Sequence, residues 1–101
     1  VRNVAYALLL LGLWGCAPIA PLVDPAMVAR GRARDATIDA ATLEQGRSIY
    51  VAKCASCHAL PAPDAHPVER WPDLAHRMAR RAKLDESSER TMLAYVLAAH
   101  R

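Results

Sequence analysis

Five consecutive residues, Cys54-Ala55-Ser56-Cys57-His58, constrain this 101-residue chain more than any other feature of it. Two thiols three positions apart can stand on one tight turn, and a histidine directly after the second is carried to a fixed place beside them. A porphyrin demands that spacing. The thiols of Cys54 and Cys57 can add to the two vinyl groups of a single haem, and His58 would then be forced beneath the iron as its proximal nitrogen ligand. Other chemistries use cysteines so spaced, and each asks for something more. A redox-active dithiol belongs on a thioredoxin-like sheet, yet the sequence has no strand pattern. A zinc site wants a second ligand pair at similar spacing, and only the scattered His66, His76 and His100 remain. A structural disulfide leaves His58 without a role.

The surrounding residues predict helices. Ala and Leu dominate, β-branched runs are missing and Phe is absent, so the length corresponds to one small all-α domain. Thr42 followed by Gln45 reads as a capping-box start, after which Leu43, Gly46, Tyr50 and Cys54 recur at helical spacing. A glycine inside a helix marks a place where another backbone comes close. Asp85 with Glu86 begins a second helix that runs through Met92, Leu93, Tyr95, Val96 and Leu97 to His100. Between them Pro61, Pro63, Pro67 and Pro72 keep the chain in loops until a third helix starts near Pro72. On that helix Trp71, Leu74, Ala75, Met78 and Ala82 form one stripe. The formal charge of +3 is too small and too spread out to indicate a nucleic-acid partner.

The pattern Gly46, Tyr50, Cys54, Cys57, His58, closed by an aromatic-bearing helix at Tyr95, resembles a class I cytochrome c domain over residues 42–101. The resemblance implies a small helical fold wrapped around one covalent haem c, with the first and last helices crossing at Gly46 and Tyr50 against the Leu93–Leu97 face. It also implies a second iron ligand opposite His58. Members of this family usually supply a methionine sulfur, and the separation of Met78 from Tyr95 resembles their pattern. His76 and His66 are the other candidates, while Met27 falls outside the domain and Met92 is expected to pack against Tyr50. The segment from His58 to Met78 is short for the family, which leaves open which proline carbonyl, if any, receives the remaining ring nitrogen of His58. An open sixth site is also left open.

Ahead of the domain, Arg2 and the apolar run from Val4 to Trp14 read as a signal peptide over residues 1–15, because such a run crosses only about half of a ~30 Å hydrocarbon core. Leu13-Trp14-Gly15-Cys16 resembles the lipobox of bacterial lipoproteins, which implies a lipid on Cys16 and a membrane-anchored, periplasmic protein. The alternative is an ordinary signal peptide with an idle cysteine. Residues 16–41, with Pro18, Pro21 and Pro25, read as a flexible tether that has room for a short helix near Ala26 to Arg34.

These readings converge on a single-electron carrier rather than an enzyme, with redox proteins as partners. Arg77, Arg80, Arg81 and Lys83 cluster around Met78 and suit an acidic partner, although a merely solvated face has the same composition. The rival readings are a haem sensor or small haem enzyme with an open sixth site, a cytochrome subunit of a larger oxidoreductase, and a non-haem thiol oxidoreductase.

Overall fold

Aspartates start three of the four helices. In the computed structural model, which describes residues 19–55 and 59–101, α1 spans Pro25–Arg34, α2 spans Ala40–Ile49, α3 spans Trp71–Arg81 and α4 spans Glu86–Ala99. Asp24, Asp39 and Asp85 cap α1, α2 and α4, each accepting the backbone N–H of the residue three positions on, at 2.8, 2.8 and 2.7 Å. Pro25 and Pro72 occupy first-turn positions, where a missing N–H costs nothing. No strand occurs among the described residues, so the expected all-α class holds.

The cap of α2 differs from expectation. Asp39, not Thr42, begins the helix, and the Thr42 hydroxyl donates back to Asp39 Oδ1 at 2.8 Å. A carboxylate takes both donors of Thr42 and complements the positive end of the helix dipole, which a hydroxyl does less well. At its far end α2 widens into a π-helical turn over Tyr50–Cys54.

Helices α2 and α4 cross at Gly46. A Cβ there would stand 2.7 Å from Tyr95 Cβ and 3.1 Å from the Thr91 carbonyl carbon, so only glycine lets the two backbones approach this closely. Leu43, Gly46, Tyr50 and Cys54 are all buried on the face of α2 expected to be apolar. The Tyr50 ring lies 6.0 Å from Tyr95 and meets Trp71 edge-on at 6.2 Å, and these three aromatics form the centre of the core.

The described part of the expected tether, residues 19–41, is packed against this core. Met27 and Gly31 bury the inner face of α1, and Ala20 is buried as well. Three long-range bonds fasten the segment. The Tyr95 hydroxyl donates to the Pro21 carbonyl at 2.7 Å, Arg47 Nε to the Ala20 carbonyl at 3.1 Å, and Arg30 Nε to the Ala98 carbonyl at 2.8 Å. The prolines and the absence of a clear periodicity suggest a linker, because part of what fastens this segment is polar and joins it to distant residues. The short helix anticipated near Ala26 to Arg34 is α1.

Candidate functional site

Cys54 ends the π-helical turn, a rare geometry that often marks functional positions. Its side chain points into the core, where Sγ lies 3.7 Å from the Met92 sulfur. Met92 therefore sits sulfur to sulfur with Cys54, both buried. Cys57, His58 and Cys16 lie outside the described residues.

Beyond the motif the chain is held by its prolines. The Tyr50 hydroxyl donates to the Pro61 carbonyl, and the Trp71 indole N–H donates to the Pro63 carbonyl at 2.7 Å. Two of the carbonyls considered for His58 thus serve as anchors for core aromatics. Burial raises the ionisation of the Tyr50 phenol well above its ordinary range, with the neighbouring Cys54 and Tyr95 adding to the shift, so its proton stays in place for this bond.

Pro61 is one wall of a cleft of about 280 Å³ whose other lining residues are His66, Leu74, Arg77, Met78 and Arg81. On α3 the buried line is Trp71, Ala75 and Ala79, while Leu74, Met78 and Ala82 are only half-buried on its flank. The expected stripe is therefore rotated: a line through every fourth residue from Trp71 faces the core, and Met78 faces the cleft. Met78 and Leu74 also pack against the edge of the core.

The histidine candidates separate clearly. His66 shares the cleft with Met78 and stands edge-on to Trp71 at 5.5 Å. His76 turns away, with Nδ1 2.8 Å from the Glu89 carboxylate of α4. Met27 is buried beneath α1. The basic residues Arg77, Arg80, Arg81 and Lys83 are all exposed, Arg77 and Arg81 line the cleft, and Arg77 also pairs with Asp73 at 3.0 Å.

The cleft brings together a thioether, an imidazole and two guanidiniums on an apolar wall of proline and leucine. Cys54 is not among the lining residues. It belongs to the same helical face as Tyr50, whose hydroxyl holds the cleft wall at Pro61. Among the described residues no three His, Cys, Asp or Glu side chains stand close enough to hold a metal ion.

No protein-family model, curated protein or solved structure matches this chain.

The place of Pro61 in this cleft is not legible in the sequence, which does offer His66 as a ligand candidate. The nearest signal for Pro61 lay in the crowded prolines, which fold residues 61–66 back onto α3 through the Tyr50 and Trp71 bonds.

Proposed function

We propose that the protein carries single electrons on one haem, bound covalently through Cys54 and Cys57 and ligated by His58 and Met78. The haem iron supplies the one-electron Fe(III)/Fe(II) couple when bound. The chain's residues attach it, ligate it and exclude water from it. One observation supports this reading beyond the motif itself: Met78, half-buried and packed against the edge of the core, also lines an apolar-walled cleft, and that wall is tied through Tyr50 to the helix that ends in Cys54.

Ligation by both His58 and Met78 would leave the iron no position for substrate and would raise its reduction potential, which suits a carrier rather than an enzyme. The exposed Arg77, Arg80, Arg81 and Lys83 suit an acidic redox partner approaching at the cleft. A lipid on Cys16 would hold the carrier at the periplasmic face of a membrane, alone or as a subunit of a larger oxidoreductase. His66 beside Met78 supports a second version, with two histidines on the iron and a lower potential.

The deciding experiment is an absorbance spectrum of the periplasmically expressed protein, oxidised and reduced, extended into the near infrared. A c-type reduced spectrum with the weak far-red band of sulfur-to-iron ligation, lost in Met78→Ala, is the expected result. A haem spectrum lacking that band in the wild type and altered by His66→Ala assigns the ligand to His66. Absence of haem overturns the proposal.

A further inference from the structure

We propose that the groove between α1 and α4 docks a partner protein that presents an aliphatic side chain flanked by carboxylates. The floor of the groove is made by Gly31, Ile38, Leu93 and Leu97, with Arg34 and Arg90 on its lip and a volume of about 180 Å³, room for a side chain but not for a cofactor. Within the Leu93–Leu97 face expected to meet Gly46 and Tyr50, Tyr95 makes that contact, while Leu93 and Leu97 lie half-buried on this flank at the edge of the core.

Gly31 keeps the groove open. A Cβ there would come within 2.9 Å of Ile38 Cγ2, so a side chain at this position would displace the isoleucine that forms the opposite wall.

Charge selects the occupant. Arg30, Arg32 and Arg47 are all committed to backbone carbonyls, of Ala98, Ile38 and Ala20. Asp35, which also borders the groove, is committed to the N–H and hydroxyl of Thr37. Arg34 and Arg90 have no hydrogen-bond or ion-pair partner among the described residues. An apolar floor beneath two uncommitted guanidiniums matches an apolar centre with an anionic rim, the usual anatomy of a protein interface. A flat lipid surface fits less well, because the apolar floor lies below the arginine lip.

The groove shares no lining residue with the Met78 cleft, so a partner held here leaves that cleft accessible. The inference does not depend on the haem reading.

The test is a chemical-shift titration of the ¹⁵N-labelled full chain with two synthetic amphipathic helical peptides. Both carry a central leucine pair, flanked by glutamates in one and by lysines in the other. The glutamate peptide is expected to shift the Gly31, Ile38, Leu93 and Leu97 amides saturably and less at high salt, and the lysine peptide to leave them unmoved. The exposed double variant Arg34→Glu, Arg90→Glu should weaken the glutamate peptide about tenfold, as loss of two rim charge pairs predicts. Equal response to both peptides, or shifts confined to the Arg77–Lys83 surface, overturns the proposal. So does a response only to phosphatidylglycerol vesicles, or self-association that shifts the same amides without peptide.

Discussion

The Cα of Gly46 faces Tyr95 so closely that a methyl group added to the glycine would lie 2.7 Å from Tyr95 Cβ. Neither helix can yield cheaply, because the other near neighbour is the Thr91 backbone itself. Gly46→Ala should destabilise the protein by about 1–3 kcal/mol despite the better helix propensity of alanine, since overpacking at a backbone contact outweighs that gain. Chemical denaturation of the two proteins measures it. A Gly46→Ala variant as stable as wild type would show that α2 and α4 do not cross here.

Lys83 ends α3 in the left-handed region, with φ of 57°, while the Leu84 N–H reaches back to the Ala79 carbonyl at 2.9 Å. This is a glycine position occupied by a residue with a Cβ. Lys83→Gly should raise stability by about 1 kcal/mol, the left-handed penalty less the greater chain entropy of unfolded glycine. Lys83→Ala, which keeps the Cβ, should bring no such gain in the same denaturation assay.

Three aspartates contribute to the acid dependence of stability. Side-chain and backbone bonds from Thr37 hold the Asp35 carboxyl below its ordinary range, backbone and side-chain bonds from Thr42 do so for Asp39, and bonds from Ser88 for Asp85. Each ionises more readily folded than unfolded, so each contributes stability that is complete well above the unfolded value of about 3.9 and is lost as pH falls through the lower folded value. Stability should therefore decline from about pH 5 downward. Asp39→Asn and Asp85→Asn, which keep a capping oxygen without the titration, should flatten that decline. An unchanged acid limb in the double variant would show that the caps are not its source.

What could be read from the sequence was what nearby residues decide. Gly46, the start at Asp85 and the helix entry at Pro72 each announce themselves within a few positions. Interactions across the chain did not. The bonds from Tyr95 to Pro21 and from Arg30 to Ala98 join positions 74 and 68 residues apart, and no periodicity in residues 19–41 reports them. The same holds at the candidate site. Which residues of α3 face fully inward was not legible: Trp71, pinned to the Pro63 carbonyl, sets the helix so that Ala75 and Ala79 are buried and Met78 stands at the core's edge beside the cleft. Thr42 misled for a smaller reason: Asp39, three positions earlier, accepts more strongly.

Tyr95 ties α1's entry segment to the core through its hydroxyl bond to the Pro21 carbonyl. Tyr95→Phe keeps the ring and should cost about 0.5–1.5 kcal/mol. Hydrogen exchange should rise most around Leu22 and Val23. Burial pushes the Tyr95 phenol up to about 12 from 10.0, so its neutral form stabilises the fold below pH 10 and that contribution is lost as pH rises through 12. The phenylalanine variant should lack this part of the alkaline transition. Unaltered exchange at residues 20–24 would mean that the segment is held by apolar contact alone.

Met78 and Met92 offer opposite signatures. Met92 is buried against Cys54, so Met92→Ala should cost about 2–5 kcal/mol through the cavity it leaves. Met78 is half-buried at the cleft and its loss should cost far less stability. On the proposed function the spectral consequences run the other way. Met78→Ala should abolish the far-red sulfur-to-iron band and lower the reduction potential, while Met92→Ala should keep both in whatever fraction remains folded. Thermal melts and redox titrations of the two variants give a direct comparison. Loss of the band in Met92→Ala with retention in Met78→Ala would reassign the ligand to the sulfur beside Cys54 and make the cleft at Met78 a surface feature only.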